Sequence, residues 1–208
     1  MLNMCSAHED LTARAVIRDR ALELFAAQGP DAVTVRRIAG AAGVSPALVI
    51  HHFGSKEGLR AVVDEYVAGV FDGMFARAAA GELDLSDGAS FAEALLKDLP
   101  PGSPIPGYLR RLLLSGDAAG TRIFRRWFAA SRAMLDALAA AGQMAPGRDP
   151  EVRTAFVMSA DLVLLLLRDQ LADVLGADPL GPEGTARWAG EVLDIYRDGL
   201  FCTEGEPR

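Results

Sequence analysis

Pro46, Ala47, Ile50 and His51 fall at a spacing that puts four side chains on one face of a short helix. Val49 and Phe53, four apart, mark the opposite face. The first face makes contacts and lacks the groups for catalysis. It can offer an imidazole for a hydrogen bond and apolar surface for a thymine methyl or a sugar. Lys56 and the Arg36–Arg37 pair bracket it with cations suited to phosphate. His52 follows His51, and the only other histidine is His8 near the start of the chain, so no metal-ligand spacing arises. Cys5 and Cys202 lie near opposite ends, without metal or redox spacing. There is no Ser-His-Asp or Cys-His arrangement and no phosphate loop, so neither an enzyme nor a bound cofactor is expected.

The elements that must position this face are legible around it. Val35, Ile38, Ala39 and Ala42 recur at i, i+3, i+4 and i+7, one face of a helix. Thr34 is placed to cap that helix, and Gly43 to end it in a left-handed conformation. Ser45 caps the next helix, with Pro46 at its first position, where a missing N–H costs nothing. Ser55 opens a third. Helix, three-residue turn and helix fit within ~20 residues, the geometry of a helix-turn-helix that lays its second helix in the major groove of DNA. The expected DNA-contacting residues are Thr34, Arg36, Arg37, Ser45, Pro46, Ala47, Ile50, His51, His52 and Lys56, with Arg14, Arg18 and Arg60 as further phosphate candidates.

The stretch resembles the DNA-binding domain of the TetR family of bacterial transcriptional regulators. The resemblance rests on Thr34, Ile38, Ala39, Ala42-Gly43-Val44-Ser45, His51, Phe53 and Ser55-Lys56-Glu57, with Ala21, Leu24, Phe25 and Gly29 upstream. It implies a homodimer, a palindromic operator and a small-molecule effector held in a C-terminal domain. Two positions depart from the family pattern. Ala47 stands where Gly is usual, and Ile50 where a Tyr commonly contacts the DNA backbone.

The net charge of −7 is unevenly spread. Residues 1–60 carry seven Lys/Arg and six Asp/Glu, while the remainder carries fourteen and twenty-two. The acidic excess therefore lies outside the DNA-contacting stretch. No segment alternates with period two over a strand length, so the chain reads as all-α. We expect about nine helices: an N-terminal three-helix helix-turn-helix domain over 1–58, then a helical effector-binding and dimerisation domain over 59–208. In that second part, helices are expected over Glu57–Ala80, Ala89–Leu99, Tyr108–Leu114 and Asp117–Ala141. Asp149-Pro150-Glu151 opens a long one to about Leu175, and Gly181-Pro182-Glu183 opens the last. The proline-rich run 100–106 reads as a loop. Ile123, Phe124, Trp127, Phe128, Leu135 and Leu138 are expected to face the core.

Ala155–Leu167 is apolar nearly all round. At ~13 residues, interrupted by Asp161, it falls short of the ~20 that a bilayer requires. A buried helix between its own core and a second subunit fits better. With the last helix (Ala186, Ala189, Gly190 and Leu193; Trp188, Val192 and Ile195) it is expected to form a four-helix dimer interface. The absence of a signal-peptide pattern suits a cytoplasmic protein. The effector pocket that the resemblance implies has Phe75, Tyr108, Phe124, Trp127, Phe128, Met158, Asp161 and Leu165 as its candidate lining, with Phe71, Leu95 and Leu112 beside them. Asp161 is costly inside an apolar helix unless partnered. It is read as pairing with an arginine such as Arg132, bonding across the dimer, or meeting a polar ligand. The alternative function is a DNA-binding protein of the same fold without an effector.

Overall fold

The structure, a computed structural model, describes residues 3–79, 99, 102–145 and 147–198. Among these the chain is helical throughout, with nine helices and no strand: α1 (Asn3–Gln28), α2 (Val35–Ala42), α3 (Pro46–Phe53), α4 (Lys56–Ala79), α5 (Ile105–Leu114), α6 (Ala118–Ala140), α7 (Pro150–Leu166), α8 (Arg168–Leu175) and α9 (Pro182–Asp198). The helix expected over Ala89–Leu99, Leu95 within it, and the side chain of Phe75 lie outside the described residues.

The chain divides into two compact units, residues 1–73 with 102–127, and residues 74–101 with 128–208. In the first unit, Ile17, Ala21, Leu22 and Phe25 of α1 repeat at helical spacing and are buried. Also buried are Ile38 and Ala39 of α2, Val49 and Phe53 of α3, Leu59, Val63 and Val67 of α4, and Tyr108, Leu109 and Leu112 of α5, and α1 packs against α2, α3 and α5. Burial of this one apolar stripe per helix is the main driving force of the unit.

The second unit has a thinner described core. Leu135 of α6, Met158 and Leu164 of α7 and Ala189 of α9 are its buried apolar residues. Asp149 caps α7 as its sequence predicts, accepting the Glu151 and Val152 N–H groups at 3.0 and 3.1 Å. Several apolar side chains remain in water: Val152 and Phe156 on α7, Leu167 after it, Val174 on α8 and Tyr196 on α9.

Three expectations are corrected. Ile105 and Pro106 belong to α5 and not to the proline-rich loop. Proline at the first or second helical position gives up only an N–H that has no intrahelical acceptor. The helix opened at Asp149 stops at Leu166, because Leu167 (φ −112°, ψ 28°) leaves helical geometry. Next to that break Arg168 donates twice to Asp178, at 2.9 and 2.6 Å, and so fastens α8 to the loop before α9. Phe124 is 40 % exposed. The buried line of α6 runs Ile123, Trp127, Ser131, Leu135, and Phe124 sits one residue, about 100°, off it.

Candidate nucleic-acid interface

The α2–turn–α3 pair is held largely by its own side chains. Thr34 is extended (φ −99°, ψ 154°), and its hydroxyl accepts the Arg37 N–H at 3.2 Å. Gly43 takes the left-handed φ of 68° that a side chain would strain. There Val44 N–H reaches back to Ala39 O at 2.9 Å and closes the end of α2. Ser45 starts α3 in the same way as Thr34 starts α2, its hydroxyl accepting the Leu48 N–H at 3.2 Å. Val49 is fully buried and Phe53 nearly so. The pair is thus clamped to α1 while the other side of α3 is left free.

On that side Pro46, Ala47, Ile50 and His51 are all exposed, as their spacing predicts. Thr34, Arg36, Arg37 and Ser45 are exposed beside them. Neither arginine has an ion-pair partner among the described residues, so both guanidinium groups are available to phosphate. Lys56 donates to Asp31 O at 3.3 Å, which fixes its stem and engages one of its three donors. His52 is set apart from the group. It is half-buried, with its ring edge-on to His51 (5.5 Å between centroids) and to Phe53 (6.1 Å). It therefore sits between the outward face and the core.

The other cations have defined places. Arg14 lies over the Phe53 ring, 5.4 Å from its centroid. Arg18 lies over Tyr66 at 3.8 Å and pairs with Asp19. Arg60 turns inward, away from the phosphate role expected of it, and pairs with Asp117.

That inward turn exposes a cluster that sequence reading missed. Asp64, one helical turn after Arg60, accepts a 2.5 Å hydrogen bond from the Tyr108 hydroxyl. Arg60 also stands 4.0 Å from Asp64. Arg111 donates to Ala26 O at 2.7 Å and to Ala27 O at 2.9 Å, covering carbonyls in the last turn of α1. Burial raises the Asp64 carboxyl above the usual range, against the opposing pull of the Tyr108 hydroxyl and Arg60. Burial, and then the Asp64 carboxylate, keeps Tyr108 protonated far above the usual phenol range. Burial also works against ionisation of Asp117, but the Gly120 N–H and Arg60 outweigh it and hold that carboxyl below its usual value. The one available signal was the Arg60–Asp64 spacing of i, i+4 on a helix face bordering the apolar stripe. Tyr108 lies 44 residues away, and no local pattern connects it to Asp64.

An open cavity of about 750 Å³ lies beside this cluster, walled by Ala26, Gly29, Pro30, Arg60, Tyr108, Arg111 and Asp117 among others. Of the expected effector residues, Tyr108 and Leu112 line it. The rest are divided between the two units. Phe124 and Trp127 belong to the first unit, Trp127 buried with its ring 4.1 Å from Phe71. Phe128, Met158, Asp161 and Leu165 belong to the second, with Met158 buried and the other three half-buried. Arg132, expected as a partner of Asp161, donates instead to Asp136 on its own helix at 2.9 Å. Asp161 acts on Tyr196, whose phenol is raised first by burial and then by this carboxylate.

No helix among the described residues is long and apolar enough to cross a membrane. Residues 17–63 match the family described as "Bacterial regulatory proteins, tetR family", and residues 102–202 match "Tetracyclin repressor-like, C-terminal domain". The chain is 40 % identical over 203 residues to the HTH-type transcriptional regulatory protein RaaS of Mycobacterium tuberculosis, covering 93 % of this chain and 89 % of that one. It is 44 % identical over 64 residues to the HTH-type transcriptional repressor KstR2 of Rhodococcus jostii, 31 % of this chain and 30 % of the other. Among solved structures, the transcriptional regulator FadR from Bacillus subtilis in complex with stearoyl-CoA shares the fold, with a TM-score of 0.67, 16 % identity, and 90 % and 99 % of the two chains covered. These relatives are regulators and not enzymes, and the helix-turn-helix geometry agrees with them: the chain belongs to the TetR family of bacterial transcriptional regulators.

Proposed function

We propose that this regulator is a homodimeric repressor, released from a palindromic operator by a small hydrophobic or amphipathic ligand. The observation that carries the DNA half is the exposed face of α3, flanked by the exposed cations Arg36 and Arg37 and the tethered Lys56. On this reading Thr34, Arg36, Arg37, Ser45 and Lys56 meet the sugar–phosphate backbone, while Pro46, Ala47, Ile50 and His51 face the base edges. His52 buttresses the face from behind. Residues 1–58 then do the binding, and residues 59–208 carry dimerisation and the ligand. The protein works in the cytoplasm, where the DNA is.

The dimer is supported by the water-exposed Val152, Phe156 and Tyr196 on the helices expected to pair. Covering what remains exposed of one such side chain is worth about 1 kcal/mol or more, roughly half the value of full burial. The ligand class is supported by the apolar character of the candidate lining. It is also the class of the stearoyl-CoA bound to FadR, and KstR2 supplies the precedent for repression. Release follows if the ligand favours a separation of the two recognition helices that no longer spans one DNA turn.

In vitro selection of duplex DNA by the purified protein tests the proposal. A palindrome should be enriched, and His51→Ala should weaken its binding while leaving fold and dimer intact. Failure to enrich any duplex at low salt overturns the DNA reading. A monomer in sedimentation at micromolar concentration overturns the dimer. If a panel of acyl amphiphiles leaves the operator complex unchanged, the proposed ligand class is wrong.

A further inference from the structure

Tyr108 touches both of the helices that frame the reading pair. Its ring stacks on Phe25 of α1 at 6.2 Å between centroids. Its hydroxyl bonds to Asp64 of α4. One turn along the same helix, Arg111 holds the end of α1 through two carbonyls. On the other side of Asp64, Arg60 joins α4 to Asp117, the residue that caps the start of α6 by accepting the Gly120 N–H at 2.9 Å. Short α5 is therefore bolted to α1 and α4 by directional contacts, beside the cavity.

Such a cluster is expensive. Asp64 is only 8 % exposed, and a carboxylate so placed loses most of its hydration. Apolar residues of similar size would often serve stability as well or better. What apolar contacts cannot do is fix rotation and register, because hydrophobic burial is non-directional. Leu59, Val63 and Val67 would let α4 turn or slide by a fraction of a residue with little loss of buried area. A 2.5 Å bond from a ring already wedged on α1 permits one arrangement. Only Gly54 and Ser55 separate α4 from the end of α3, so any turn of α4 reaches the reading face directly.

We propose that Tyr108, Asp64, Arg60 and Asp117 are positioning residues for DNA recognition, a polar clamp that sets the angle of α4, and hence of α3, against α1. The proposal rests on the DNA-binding reading above. It assigns to Tyr108 a role in orienting the reading helix and none in contacting a ligand.

Tyr108→Phe removes one oxygen and keeps the ring. The test measures this variant's affinity for the duplex enriched by the wild type and for a scrambled duplex of equal length, beside its thermal melting. The enriched duplex should be bound about tenfold more weakly, the size of one hydrogen bond to a charged group, and the scrambled duplex unchanged. Asp64→Asn retains an oxygen acceptor for the hydroxyl and should keep the ratio of the two affinities within about twofold of the wild type. Asp117→Asn, at the more exposed end of the clamp, keeps the cap on Gly120 but removes the charge facing Arg60. It should lower the ratio in the same sense by about threefold, and it serves alone if Tyr108→Phe does not fold. A wild-type ratio in Tyr108→Phe overturns the clamp, as does a loss of both affinities in step with melting. In Asp117→Asn, tested alone, an unchanged ratio does the same. A wild-type protein that enriches no duplex overturns the DNA reading and the clamp together. Enrichment by the wild type, with no effect of the variants, overturns the clamp alone.

Discussion

The reading pair and the clamp beside it are built on opposite principles. In α2–turn–α3 the polar contacts are local. Thr34 to Arg37 and Ser45 to Leu48 each span three residues, and the side chains that make them are exposed. In the clamp the contacts are remote. Tyr108 to Asp64 spans 44 residues, Arg60 to Asp117 spans 57, and Arg111 to Ala26 spans 85. Local caps define the shape of each helix whatever surrounds it. Remote bonds define where one helix stands relative to another. Presenting a rigid helix face at a set angle requires both, and the chain keeps them in different residues.

The largest break in this comparison comes from the apolar side of the reading pair. Phe53 is 8 % exposed, ends α3 and carries Arg14 over its ring. Phe53→Ala should cost about 3–5 kcal/mol of folding stability and abolish operator binding. Denaturant unfolding checks it, and a loss below about 1 kcal/mol would show that α3 is not anchored through this residue.

The comparison sharpens at the helix ends. Arg111→Ala removes two hydrogen bonds to the last-turn carbonyls of α1 and should cost about 1–2 kcal/mol. Ser45→Ala removes one local cap and should cost about 1 kcal/mol. The double variant should show additive losses in chemical denaturation, since no contact is shared. Coupling above about 0.5 kcal/mol would mean that the local and remote devices are not separate.

This division also accounts for what the sequence reveals. Thr34, Gly43, Ser45 and Asp149 act on backbone two to four residues away, so their types and spacing suffice to place caps and turns. The buried stripes of α1 and α4 repeat at 3.6 residues and are equally visible. The α7–α8 break at Leu167 is not, because no glycine or proline marks the end of the apolar run 162–167, and Arg168 meets Asp178 only once the chain has folded back. Phe124 shows a related limit. Aromatic character marks it as core, and only the position of the buried line of α6 turns it outward. The exposed side of α3 was legible because Pro46, Ala47, Ile50 and His51 share one face of a single helix. The residues expected to meet an effector are spread over several helices, and their relation depends on packing that no local pattern encodes.

The smallest expected effect is one of shape, and it separates the two acids of the clamp. Asp64 has its carboxyl raised, chiefly by burial, and Asp117 has its own lowered, by the Gly120 N–H and Arg60 against the effect of burial. The signs are opposite. A raised group contributes stability that is fully present below the unfolded value, about 3.9 for an aspartate, and lost as pH rises through the folded value. A lowered group contributes stability that is present above the unfolded value and lost as pH falls through the folded one. The two windows therefore meet near the usual aspartate value and extend away from it in opposite directions. In melting curves taken through an acid pH series at fixed salt, Asp64→Asn should flatten the profile on the higher-pH side of that point. Asp117→Asn should flatten it on the lower-pH side. Flattening on the exchanged sides, or on the same side for both, would mean that burial does not govern Asp64 and that its hydroxyl and guanidinium partners outweigh the loss of water.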